Sequence, residues 1–239
     1  QGSHSVVFAC NDTAGNMNAS SGAKVFTIDS ISPNVLIVSP ANNSNSSDTG
    51  IDVNYTRGSD VQSCWYSNDT YAVNTTLAGC TNITTVTWAE GQHNVTVWVN
   101  DSAGNKNSSF VRFTIDTISP NVLIVSPANN TNTTDTGIDV NYTRGSDVQS
   151  CWYSNDTYAV NTTLAGCANI TTVTWAEGQH NVTVWVNDSA GNKNSSFVRF
   201  TIDTISPNVL IVSPANNSNS SDTGIDVNYT RGSDVQSCW

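Results

Sequence analysis

The chain has 239 residues, and 8 Lys and Arg against 19 Asp and Glu leave a net charge of −11. That balance excludes a nucleic-acid binder built on phosphate contacts, and the longest aliphatic run, Val35-Leu36-Ile37-Val38, falls far short of the ~20 residues of a membrane-spanning helix. Asn, Ser and Thr number 32, 31 and 30, more than a third of the chain, yet seven Trp, seven Tyr and six Phe among many Val and Ile exclude a disordered polymer.

Residues 1–30 read as the tail of a repeat. Gly2, His4, Val6, Asn11, Asp12, Ala14, Gly15 and Asn16 match Gly91, His93, Val95, Asn100, Asp101, Ala103, Gly104 and Asn105. Ile31-Ser32-Pro33-Asn34-Val35 then opens a unit that recurs from Ile118 and again from Ile205, at intervals of 87. Residues 31–117 and 118–204 are full copies that differ only at Ser44/Thr131, Ser46/Thr133, Ser47/Thr134 and Thr81/Ala168. Residues 205–239 open a further copy and stop at Trp239, the counterpart of Trp152. The expectation is a window on a longer tandem array.

Within a copy the apolar period is 2. Ile51, Val53 and Tyr55 alternate with polar residues, as do Val95, Val97 and Val99, and Val111, Phe113 and Ile115; Trp98 stands on the polar side. Gly and Asn-Asp clusters punctuate these runs. The pattern predicts strands at roughly 34–39, 51–56, 61–67, 70–75, 82–89, 93–100 and 107–115. About seven short strands per copy is the immunoglobulin-like count. The predicted fold is all-β, a tandem array of immunoglobulin-like β-sandwich domains.

Val95-Thr96-Val97-Trp98-Val99-Asn100-Asp101-Ser102-Ala103-Gly104-Asn105 resembles the late-strand motif of prokaryotic immunoglobulin-like surface repeats, in which a Val-Thr-Val run ends in an Asp-x-Ala-Gly-Asn turn. Ile115-Asp116-Thr117-Ile118-Ser119-Pro120 resembles that family's domain junction, here with a single Pro. The resemblance covers the chain copy by copy, and the sequon-rich style resembles archaeal more than bacterial members. It implies an extracellular stalk, adhesin or surface fibre. It also implies that Asp101 and Asp116, with Asp188 and Asp203, bind Ca²⁺ between domains, a role that carboxylates and carbonyls suit chemically. No other cofactor is implied.

Cysteines fall at 10, 64, 80, 151, 167 and 238. Cys64 with Cys80, and Cys151 with Cys167, keep one spacing and flank strands that can fold back as a hairpin. Disulfides inside each copy are expected, with a pair of buried free thiols as the competing reading, and disulfides would indicate an oxidising compartment. Cys10 stands where the full copy has Val99, and Cys238 corresponds to Cys151.

Asn-x-Ser/Thr acceptors are the densest signal. One copy carries Asn42, Asn45, Asn54, Asn68, Asn74, Asn82, Asn94, Asn100 and Asn107; the next repeats them as Asn129, Asn132, Asn141, Asn155, Asn161, Asn169, Asn181, Asn187 and Asn194. Asn11, Asn18, Asn216, Asn219 and Asn228 bring the total to 23, where composition alone gives about 8. Three of the four differences between copies are Ser/Thr exchanges, and every sequon survives them. N-linked glycans are therefore expected. Asn100 and Asn107, assigned to tight turns, are expected to be the least occupied.

Other chemistry is thin. His4, His93 and His180 occupy one equivalent position with no second His in the repeat, which suits a structural role; no nucleophile elbow is present, and an enzyme is not expected. Arg57, Lys106 and Arg112 suit local ion pairing. Trp65, Tyr66, Tyr71, Trp88 and Trp98 could instead form a sugar platform, which makes a carbohydrate- or cell-binding adhesin the alternative reading. The primary reading is a structural component of an extracellular or cell-surface filament. Its partners are further copies of itself end to end, or other cells and surface glycans. The short, Pro-stiffened junction predicts a rod of nearly constant step that can polymerise with helical symmetry.

Overall fold

A computed structural model describes residues 1–19, 22–70, 73–157 and 160–239. It is all-β apart from two short 3-10 turns. The chain forms two compact units. The first takes Gln1–Asn121 with Gly145–Gln149 and Val186–Asn194; the second takes Val122–Arg144 with Ser150–Trp185 and Ser195–Trp239.

In the first unit, the copy from Ile31 contributes β1 (Val35–Ser39), β2 (Ser44–Ser46), β3 (Asn54–Arg57), β4 (Val61–Asn68), β5 (Thr75–Thr76), β6 (Gly91–Asp101) and β7 (Lys106–Ile115). A five-stranded sheet runs in the order β2-β7-β6-β4-β5, and β1 pairs with β3 in a second, small sheet. Neighbours are antiparallel except that β2 runs parallel to β7, setting Ser44 opposite Phe113. Ser109 Oγ accepts a bond from Ile37 N at 3.0 Å and so ties β1 to β7. In the second unit the parallel pairing recurs as Thr131–Thr133 beside Phe200–Ile202, and the small sheet as Val122–Ser126 against Asn141–Arg144.

The pleat explains the core. Successive side chains of a strand face opposite ways, so Val95, Val97 and Val99 of β6 are fully buried, as are Val111, Phe113 and Ile115 of β7. Val53, Tyr55 and Ile83 meet them from the small-sheet side. Trp88 closes this core. It packs edge-on against Phe113 at 5.1 Å between centroids, and its indole N–H donates to Ile51 O at 2.9 Å.

Three sequence expectations change. Residues 82–89 are not a strand: only Ile83 bridges to Val53, and the alternation there records which side chains fill the core. Ser44–Ser46 is a strand without apolar character, because β7 supplies its pairing partner. The strand expected at 70–75 lies partly outside the described residues; among the described ones pairing is confined to Thr75 and Thr76.

Trp88→Ala should cost about 3–5 kcal/mol by leaving a large core void and an unpaired carbonyl. Urea unfolding followed by far-UV circular dichroism checks it; a loss within error of a surface substitution would contradict this account of the core.

Candidate functional site

The turn after β6 is built from one carboxylate. Asp101 is buried; its Oδ1 accepts from Ala103 N and Asn105 N, both at 2.9 Å, and its Oδ2 accepts from Asn105 Nδ2 at 2.8 Å. Gly104 takes the φ of 93° that the turn demands. The same set recurs around Asp188 with Ala190 and Asn192, and around Asp12 with Ala14 and Asn16. Foremost the Asn105 side-chain amide, and then the backbone N–H groups, hold the Asp101 carboxyl below its ordinary value against the opposing effect of desolvation.

Asn105 Nδ2 also donates to Asp29 O, and Asn192 Nδ2 to Asp116 O. Asp116 Oδ1 accepts from Ile118 N, and both the N–H and the hydroxyl of Thr117 donate to Glu90 Oε2. In the second unit Asp203 repeats the first of these bonds with Ile205 N, and Thr204 repeats the second pair with Glu177.

The expected Ca²⁺ ligands are thus engaged in turns. A Ca²⁺ ion wants roughly six to eight oxygens. Here each Asp accepts from N–H groups, and no three His, Cys, Asp or Glu converge among the described residues. The donor set does not fit a Ca²⁺ centre.

The two cysteine pairs are disulfides inside their own copies, Cys64–Cys80 and Cys151–Cys167, each with Cα atoms 5.2 Å apart. Cys64 lies on β4, but Cys80 ends a 3-10 turn, Ala78–Cys80, instead of a hairpin strand. Gly79 and Cys80 both have positive φ, 65° and 54°, which swings Cys80 back toward β4. Cys10 and Cys238 are free and exposed.

His93 is a structural residue. Its Nδ1 sits 3.1 Å from Asp69 Oδ2 and its Nε2 2.8 Å from Ala89 O, while the ring packs between Trp88 and Phe113. His180 repeats the arrangement with Asp156 and Ala176, so both ring nitrogens are committed in each copy.

The sequon asparagines fall into distinct settings. Asn42 and Asn82 are exposed; their Oδ1 atoms accept from Arg112 N and Tyr55 N, which turns Nδ2 away from the backbone. Asn129 and Asn169 repeat this with Arg199 N and Tyr142 N. Asn107 and Asn194 are half-buried and spend Nδ2 on Pro33 O and Pro120 O, both at 2.9 Å. Asn45 Nδ2 donates to Ser189 Oγ within the first unit. Asn100 and Asn107 lie on β6 and β7, flanking the turn instead of forming it, and they differ: Asn107 donates through Nδ2, whereas Asn100 accepts from the Ser63 hydroxyl through Oδ1.

Of the aromatics named for a sugar platform, Trp88 is core and Tyr66 packs against it; Tyr71 lies outside the described residues. Trp65 and Trp98 remain. They are cross-strand partners on the outer face of the five-stranded sheet, with rings 4° from parallel and centroids 6.5 Å apart. Lys106, expected to make an ion pair, instead places Nζ 5.8 Å over the Trp65 ring. Sequence reasoning missed that these two rings share an outer face, one that the exposed Phe110 of β7 also occupies opposite Thr96. The signal was present in Trp98, the one large apolar residue out of phase in β6.

Asp101→Asn should lower the melting temperature at near-neutral pH, since the depressed carboxyl stabilises the fold above its ordinary value of 3.8. That stability is lost as pH falls through the folded-state value, so the gap between wild type and variant should close in acid. Melting curves across pH check this; a gap that stays constant below 3.8 would contradict it.

A family model described as a bacterial Ig-like domain matches residues 53–117 and 125–204. No curated protein matches the chain. Among solved structures it is similar to the fibronectin(III)-like modules of Clostridium thermocellum CbhA, with 18% identity, a TM-score of 0.45, and 70% of this chain and 93% of that one covered. It is also similar to a tetra-tandem repeat in the extending region of a large adhesion protein, at 15% identity and a TM-score of 0.39, covering 97% and 70%. A Ca²⁺-stabilised adhesin of an Antarctic bacterium that binds ice shares 19% identity at a TM-score of 0.37, covering 84% and 57%.

Proposed function

We propose a function from one premise, namely that the chain belongs to the bacterial Ig-like domain family, whose domain it repeats in tandem. It is a structural segment of an extracellular fibre, stalk or surface filament, with residues 31–117 and 118–204 as its repeating domains. Its partners are further copies of the repeat, joined end to end. N-linked glycans clothe it, and its sequon density points to an archaeal surface.

The observation that carries this reading is the combination of sequon excess and sequon placement. The 23 acceptors include Asn42 and Asn82, exposed residues whose amide oxygen is held by a backbone N–H, which leaves the nitrogen uncommitted to that bond. An exposed, pre-oriented nitrogen is what a transferred sugar requires. The disulfides support an oxidising compartment. No helix of the described chain is long and apolar enough to cross a membrane.

The adhesin reading keeps one observation in its favour, the Trp65–Trp98 pair on the outer face. Aromatic rings displayed on a sheet can stack on sugars, so surface glycans or other cells are the partners this reading requires.

Site-resolved mass spectrometry of native material should find glycans on Asn42 and Asn82 and least occupancy on Asn107, whose Nδ2 is already a donor. Peptides spanning 31–117 with every Asn unmodified would defeat the glycoprotein reading.

A further inference from the structure

Trp65 and Trp98 are half-buried, nearly parallel and stacked on a face that also carries Ser, Thr and Asn side chains, the cations Lys106 and Arg112, and the exposed Phe110 opposite Thr96. The register fixes their neighbours. Trp98 lies opposite Trp65 on β4 and Ser108 on β7, and Asn100 lies opposite Ser63 and Lys106. Asn100 follows Trp98 by two residues, so the pleat puts it on the same face, about 7 Å along the strand. It heads the sequon Asn100-Asp101-Ser102. Ser63 donates to its Oδ1, and the Asp101 turn anchors the residue that follows it. An acceptor amide therefore stands at the rim of this stacked two-ring platform, with the Lys106 ammonium over its Trp65 ring.

We propose that this platform is the seat of the chain's own glycan: the N-linked oligosaccharide on Asn100 folds back and packs its apolar ring face on Trp98 and Trp65, with Lys106 donating to its oxygens. The inference rests on the glycoprotein reading above and deepens it by assigning one sugar to one surface. Attachment uses a lipid-phosphate-activated oligosaccharide as co-substrate. Asn100 Nδ2 attacks the anomeric carbon and a C–N bond forms. The C–O bond to the carrier breaks, its electron pair leaves with the phosphate, and the amide proton passes to the transferase's base.

A tethered sugar fits this face better than a free one. Free ligands pay several kcal/mol of lost translational and rotational freedom, and sites that hold them are usually concave. Two rings on an open sheet offer little against that cost. A glycan already bonded to Asn100 has lost that freedom and needs only the ring contact. The same residues recur in the next copy as Trp152, Trp185, Asn187 and Lys193.

The test uses the full chain secreted by a host with N-glycosylation machinery, with Asn82 as an internal reference remote from the rings in sequence. Expected are glycans on both sites, with native-state endoglycosidase trimming about fivefold slower at Asn100 than at Asn82, as ring packing of this kind provides. Trp65→Ala should abolish the difference. Should that variant misfold, Asn100→Gln, which leaves the core intact, should raise acrylamide quenching of tryptophan emission. If Asn82 carries a glycan and Asn100 does not, the proposal fails while the glycoprotein reading stands; if neither does, both fail. Equal trimming at the two sites with unchanged quenching in Asn100→Gln overturns the packing alone. Saturable quenching of the intact glycoprotein by added oligosaccharide would assign the platform to an external sugar and likewise overturn the proposal.

Discussion

The pleat of β6 sends Val95, Val97 and Val99 inward, fully buried, and leaves Asn94, Trp98 and Asn100 on the opposite face. Everything else in a copy is arranged around that division. β7 repeats it with Val111, Phe113 and Ile115, and Trp88 covers the far side from a segment that is itself no strand. A domain poor in Leu, in a chain with one Met, has little apolar volume to spare. One aromatic lid with its indole N–H satisfied therefore substitutes for a layer of aliphatics. The outward half of the strand is then free to carry polar chemistry without weakening the inward half.

Ion pairs contribute little to this fold, and hydrogen bonds from amide and carboxylate side chains take their place. With 11% charged residues, the chain uses Asn and Asp side chains to satisfy backbone N–H and C=O groups at the places where strands stop or diverge. Asp101, Asn42, Asn82 and Asn107 each close a bond across a turn or between strands. Such bonds contribute roughly 0.5–1.5 kcal/mol each, or more where the acceptor is charged. A bond buried as Asp101 is also escapes the salt screening that weakens surface ion pairs. This is the physical reason that an Asn-rich composition is compatible with a single ordered structure.

The repeat, the sandwich class and the paired cysteines were legible in the sequence because each leaves a periodic trace: 87 for the copy, 2 for the strand, one spacing for the disulfide. What was not legible depends on neighbours distant in sequence. Ser44–Ser46 has no strand character of its own and pairs because β7 lies beside it. Residues 82–89 have the alternation but form one isolated β-bridge, Ile83 to Val53, and no ladder. The candidate Ca²⁺ acids looked like ligands because Asp and Asn serve equally as turn formers and as oxygen donors. Only the bonds around Asp101 distinguish the two uses. The outer-face pairing of Trp65 with Trp98 needed the register, which a single strand's alternation does not contain.

Near-identical neighbours raise a last constraint. Copies differing at four positions can exchange strands during folding, and the short edge strands β2 and β5 leave backbone groups open to pairing. The disulfide answers part of this. It joins residues 16 apart in sequence, so β4 and the turn beyond β5 are bound within their own copy and cannot be exchanged independently. The Asn107 bond to Pro33 O ties the late strand to the start of the same copy over a separation of 74 residues. The remaining exposure is on the sheet faces and edges, where the sequons are densest. Bulky, hydrated groups there would hinder face and edge contacts between copies without touching the core. On the glycoprotein reading proposed above, the Ser/Thr exchanges between copies would be neutral because they leave every sequon in place, and the array could lengthen by duplication while each domain still folds on itself.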